Sequence, residues 1–272
     1  MNLYIPFSYL LITRIKTKHE RISWFIIYPL FLLLTVIILK GEVLNFIASF
    51  IMIMSLYEIG YIDNDFRTVK KEKDPTLRAT TQRAWIEKNI ISLVVSRILI
   101  SVVLGFFLYF KTDFPQQITI LLLMVLLLCG FYYHNTLRSR WNVLTYFIVV
   151  LCRYIIPVIA SVNSVYFPYL VPFIILSFPL VRTIEHACKE KYGFIKLKKL
   201  VKNPDLFRVK WYMLVTLLIF IIMIMHRVNI LIELFVLSMY FLSYRIATLY
   251  ISKTKQVMRN KHQSYNWEDN EK

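Results

Sequence analysis

Five carboxylates and five basic side chains crowd a single stretch of this chain, YEIGYIDNDFRTVKKEKDPTLR, from Tyr57 to Arg78. The acids are Glu58, Asp63, Asp65, Glu72 and Asp74; the bases are Arg67, Lys70, Lys71, Lys73 and Arg78. Oxygen ligands hold a hard dication such as Mg2+, and the dication and nearby cations together hold a phosphorylated substrate. Asp65 is the leading candidate ligand, with Asn64 and Glu72 beside it and Asp63 and Glu58 in support. Arg78 and Lys71 are placed to grip phosphate, and Arg suits bidentate contact better. The competing reading is a solvated loop whose charges only fix topology. Acids contribute little to orientation, so a purely topological loop has no need of them. Tyr57 and Tyr61 lie four apart and share a helix face just below this loop.

The elements that must position these residues follow from composition. Of 272 residues, 58% are hydrophobic and 16% aromatic, and only 5 are glycine. Several apolar runs approach or exceed the ~20 residues that cross a bilayer as a helix. An open sheet cannot satisfy its backbone in lipid, so the fold class is all-α: a polytopic integral-membrane helical bundle. The net charge of +17 would point to nucleic acid in a soluble chain. Here the bases sit between apolar runs, which makes membrane topology their first explanation and nucleic acid no partner. Cys129, Cys152 and Cys188 are odd in number and irregular in spacing, and imply neither disulfides nor zinc. No signal peptide is read, because the first apolar run precedes its basic cluster.

Eight membrane helices are expected, over about 24–39, 43–62, 88–110, 117–135, 141–162, 166–184, 211–226 and 229–250. They form one transmembrane domain over 1–252. Residues 1–23 are its N-terminal segment, with 2–13 lying amphipathically on the interface ahead of Arg14, Lys16, Lys18 and Arg21. Residues 253–272 form a polar tail. Charged loops are expected over 63–87 and 185–210. Most Lys and Arg fall on one side with both termini, leaving Lys40, Lys111 and Arg227 on the other. Both termini and both charged loops are therefore assigned to the cytoplasm, where the loops can meet over one cavity.

The second loop offers Glu185 and Glu190 as acids, with His186, Lys189 and Lys191. Glu185 is open between metal ligand and surface charge, and Lys189 is a candidate phosphate contact. Arg97 and Arg153 lie well inside apolar spans, Arg153 ~18 Å deep at the helical rise. Charge at that depth faces the bundle interior, either lining the substrate cavity or forming an ion pair, for example with Glu233. His134 and Asn135 end the fourth helix, where a lone His is more often a cap than a catalyst. There is no glycine-rich phosphate loop, H-E-x-x-H, G-x-S-x-G or C-x-x-C.

The first loop resembles the aspartate-rich motif of the UbiA superfamily of intramembrane prenyltransferases, N-D-x-x-D-x-x-x-D at the end of the second helix. Asn64 and Asp65 match it, Thr68 stands for the next aspartate, and Glu72 for the last. A subgroup continues His-Pro and then a Lys/Arg pair; Pro75 and Arg78 match here, while Asp74 and Leu77 do not. The second charged loop falls where that family keeps its second acidic motif, but the Glu185–Glu190 spacing departs from the family pattern. The resemblance implies a Mg2+-dependent transferase in a bacterial inner membrane. It would move a prenyl group from a diphosphate-bearing donor to an acceptor, with an isoprenoid or polyprenyl lipid among the helices. Asp65, Glu72 and Tyr61 would be catalytic. Asp65, Asn64, Glu72, Asp63, Glu185 and Glu190 would hold metal. Asn64, Lys71, Arg78, Lys189, Arg97 and Arg153 would hold diphosphate. The Pro75…Arg78 continuation resembles the branch that transfers phosphoribose from its pyrophosphate to polyprenyl phosphate. A degenerate, non-catalytic lipid-binding or transport protein is the third possibility. The acceptor and the oligomeric state are left open.

Overall fold

A computed structural model describes residues 2–71, 77–137, 139–226 and 228–254. Eight helices among them are long and apolar enough to cross a membrane, and no strand occurs there. The chain is an all-α polytopic bundle. We label the helices α1 (Ser8–Thr13), α2 (Lys18–Ile38), α3 (Val43–Thr68), α4 (Thr80–Lys111), α5 (Phe114–Thr136), α6 (Asn142–Ile159), α7 (Ser164–Ala187), α8 (Ile195–Val201), α9 (Pro204–His226) and α10 (Ile230–Ser252). The eight spans are α2 to α7, α9 and α10.

Several helices run further than hydropathy alone indicates. Helix α3 continues to Thr68, α4 starts at Thr80 and α9 starts at Pro204. Hydropathy registers where the lipid-facing residues end, whereas the backbone ladder continues until a cap or breaker stops it. At α9 the stop signals are Pro204 at the first position and Asn203, whose side chain accepts from the Asp205 and Leu206 amides. Helices α2 and α5 begin with capping boxes, Thr17 with Glu20 and Asp113 with Gln116.

The chain divides into two compact units: Met1–Arg138 with Ile148–Phe167, and Ser139–Phe147 with Pro168–Lys272. Helix α6 contributes its first turns to the second unit and the rest to the first.

In the first unit, α3 is the most enclosed of the eight spans and α4 the least. Met52, Ile53 and Met54 of α3 are buried with Tyr28, Phe31 and Leu32 of α2 and Tyr154 and Ile156 of α6. Helices α3 and α5 approach closely at Gly60, where a Cβ would meet the Phe131 ring at 2.3 Å. The α2–α3 turn needs Gly41 for a similar reason, because a Cβ there would lie 2.5 Å from the Ser161 carbonyl oxygen. The N-terminal segment lies in this core: Leu3, Tyr9 and Leu10 are buried, and Leu3 and Tyr9 cluster with Ile62 and Phe66 of α3 and with Ile86 and Leu93 of α4.

In the second unit α9 and α10 pack as an antiparallel pair, with Tyr212 stacked on Phe241. The Tyr212 hydroxyl and the Trp211 indole donate to the Ser177 and Leu176 carbonyls of α7. Those carbonyls are freed where α7 breaks ahead of Pro179.

Candidate functional site

The last turn of α3 widens. Over Asn64–Thr68 it takes π geometry, and the Val69 amide donates to the Asn64 carbonyl five residues back. Such single π turns recur at functional sites because the extra residue re-aims the side chains around it. Here the turn buries Asp65, which sequence placed in a charged loop; its side chain is 2% exposed.

Asp65 is met by residues far away in sequence. The Tyr9 hydroxyl donates to Oδ2 at 2.7 Å and Arg14 Nη2 to Oδ1 at 2.8 Å. Arg78 Nη1 lies 3.9 Å from Oδ1, and the Asn64 amide donates to the same oxygen at 3.3 Å. Thr68, standing where the motif has an aspartate, turns its hydroxyl back onto Asn64. Burial, and then the adjacent Asp65, push the Tyr9 phenol above its usual range, so it remains a proton donor at neutral pH. Burial, and then the neighbouring Arg14, pull Arg78 down. Two guanidinia thus share one carboxylate and repel each other.

Tyr61 is the centre of this arrangement. The Arg14 guanidinium sits 4.6 Å from its ring centroid, and Arg78 and Arg153 are both within electrostatic reach of it. Tyr61 packs edge-on against Tyr57, and both rings meet Phe131. Arg153 lies 4.0 Å from the Tyr28 centroid and 5.1 Å from that of Tyr57. Two buried donors here have no hydrogen-bond partner: Arg14 Nη1 and Arg153 Nε. Buried N–H groups are nearly always bonded, so an orphaned pair around one aromatic cluster marks a place that takes an acceptor.

The N-terminal segment is held on this site by a buried ion pair. Arg97 Nε donates to Glu58 at 2.7 Å, and neither side chain is more than 1% exposed. The other Glu58 oxygen accepts the Leu10 amide at 2.9 Å. Arg97 uses its remaining donors on the carbonyls of Leu3, Tyr4 and Ile5 and on the Ser96 hydroxyl. All five guanidinium N–H groups are then engaged. Arg97 therefore does not grip diphosphate, as sequence had allowed, and its acid is Glu58.

Asp63 is also corrected. Arg67 takes it in a bidentate pair, and Asn135 donates to its Oδ2 and to the Gly60 carbonyl, tying α3 to α5. It is not open to a metal. Asn135, missed beside His134, is the residue at the end of α5 that reaches α3.

No known protein family, curated protein or solved structure matches this chain. The site is therefore read from its own chemistry. Among the described residues no three His, Cys, Asp or Glu side chains gather as a metal-ligand set. Asp65 spends its oxygens on Tyr9 and two arginines, whereas Mg2+ needs free, anionic oxygens. Glu72 and the Lys71 side chain lie outside the described residues. The described donors alone do not fit the dication; they fit an anion.

In the second unit, Glu185 is fully buried and held by Arg182 Nη1 at 2.6 Å and by Arg208 through Nε at 2.5 Å and Nη2 at 2.9 Å. It anchors α7 to α9, and its oxygens are committed to arginines, which corrects its reading as a metal ligand. Glu190 is exposed and pairs with Lys198 at 3.0 Å, so the two acids of the second motif do not share an environment. Lys189 is half-buried beside them. His186 stacks flat on Tyr146, with Nε2 between Asn142 and the Tyr192 hydroxyl, a clamp within this unit.

Proposed function

We propose that this chain is an integral-membrane transferase resembling the UbiA prenyltransferases, acting on a diphosphate-bearing donor at the cytoplasmic face of a bacterial inner membrane. The observation carrying this reading is the cluster of buried Asp65 and Tyr9 with Arg14, Arg78 and Arg153 around Tyr61, with two buried donors unfilled. A diphosphate would take those donors and separate the repelling guanidinia. Transfer breaks the bond between the first isoprenoid carbon and the diphosphate oxygen. The electron pair leaves with diphosphate, and the acceptor atom bonds to the carbon and releases its proton. Guanidinia would stabilise the developing leaving-group charge. The faces of Tyr57, Tyr61 and Phe131 would shelter the allylic cation. Asp65 holds Tyr9 and Arg14 in place for this. Mg2+, implied by the resemblance, would need carboxylates beyond those described, and no step is assigned to it.

Arg78 favours a second reading. It belongs to the continuation that resembles the phosphoribosyl branch, and it faces Asp65 inside the cluster. Both readings are tested by offering the purified protein labelled prenyl diphosphate and labelled phosphoribosyl pyrophosphate. Transfer from the first supports prenyl transfer. Label from the second appearing in a lipid phosphate supports the alternative, and no turnover of either ends the enzymatic reading. Asp65→Ala is expected to abolish turnover while the protein still accumulates in the membrane; retained turnover would remove Asp65 from the site.

A further inference from the structure

A groove of about 840 Å3 lies in the first unit between α3 and α4. One wall is a single stripe of α3: Ile59, Ile62, Asp63, Phe66, Arg67 and Lys70. The facing stripe of α4 is Glu87, Ile90, Ile91, Val94 and Val95. The helices run antiparallel, so the polar ends of both stripes coincide. The groove is charged at one end and wholly aliphatic and aromatic toward the other. That gradient matches a lipid lying along the membrane normal, with its headgroup at the charged end.

The charge at that end is not balanced. Asp63 is taken by Arg67, and Glu87 pairs with Arg83 at 3.3 Å. Lys70 is exposed and has no carboxylate partner among the described residues. Both lining acids are thus committed to arginines, and the lining cation Lys70 is left unmatched. We infer that this groove is a binding site for an anionic phospholipid of the surrounding bilayer, its phosphate at Lys70 and an acyl chain against Ile62, Ile91 and Val95. A zwitterionic lipid fits the walls equally, but its headgroup cation brings back the positive charge that its phosphate offsets. A second copy of this chain would bring another Lys70 to the same rim.

The test uses the full chain purified in detergent, with bound lipid read by native mass spectrometry. Phosphatidylglycerol and phosphatidylcholine of identical chains are added in competition. The expected result is one retained lipid and a roughly fivefold preference for the anionic one, the factor one basic residue near a membrane surface provides. Lys70→Glu should remove the preference while some lipid remains bound. Ile91→Trp, at a side chain 77% exposed and so tolerant of substitution, should fill the groove and displace both lipids. Equal retention of the two lipids in the wild-type protein would overturn the inference. So would a preference that survives both variants, or a wild-type dimer that Ile91→Trp converts to monomer.

Discussion

Arg14 reaches Asp65 through Nη2 and leaves Nη1 buried and unbonded. That nitrogen is already out of water in the fold, so an incoming phosphate oxygen gains a charged hydrogen bond with little further burial cost at Nη1. Such bonds contribute about 1.5–3 kcal/mol, which is roughly 10- to 100-fold in affinity. Arg14→Gln should weaken binding of inorganic pyrophosphate by that factor, measured by titration of the purified protein. Arg14→Lys should fall between, keeping charge but losing the planar fork. Wild-type affinity in the Gln variant would take Arg14 out of the site. At this scale the sequence was legible only in part. Asp65 stood out because a carboxylate beside Asn64 at a helix end has few structural uses. Tyr9 and Arg14 did not, because they lie 56 and 51 residues from Asp65 and a lone base after an apolar run reads as a topology signal.

At the scale of elements, α3 and the N-terminal segment act together. The Glu58–Arg97 pair fixes the carbonyls of residues 3–5 and the Leu10 amide, and so sets where Tyr9 and Arg14 fall. Removing one partner leaves an uncompensated buried charge, at a cost of about 3–5 kcal/mol. Glu58→Gln and Arg97→Met should each lower the thermal midpoint markedly, and the double variant should cost less than the sum. Additive losses would mean that the two do not act as a pair. In the second unit, burial, and then Glu185, push the Cys188 thiol up to about 11, and its side chain is 2% exposed. The thiolate is the reactive form, so at pH 7 only about one in 10,000 would be reactive. In native protein Cys188 should resist maleimide at neutral pH and label once the protein is unfolded; prompt native labelling would contradict its burial. Neither the N-terminal anchoring nor the Glu185 ion pairs could be read from hydropathy, which ranks residues by polarity and is silent on which polar groups find partners. Arg97 and Glu58 were visible as charges in apolar runs, but the pairing needed the two helices side by side.

Across the whole molecule, the eight spans were the most legible feature, because crossing lipid demands both length and apolarity and leaves few alternatives. Their ends were less legible: charged turns such as 63–68 stay helical although their hydropathy no longer calls for a span. Eight crossings would return the chain to its starting side, and the proposed cytoplasmic side is the one that carries most Lys and Arg. By that count the connections after α2 and α6 would lie opposite those after α5 and α7. In a background with Cys129, Cys152 and Cys188 replaced by serine, single cysteines at Lys40 and Asn163 should react with a membrane-impermeant maleimide in spheroplasts. Cysteines at Ser139 and Lys196 should react only after permeabilisation. All four positions are exposed, so a failure to label reports sidedness rather than burial. Labelling of Ser139→Cys and Lys40→Cys from the same side would break the crossing order.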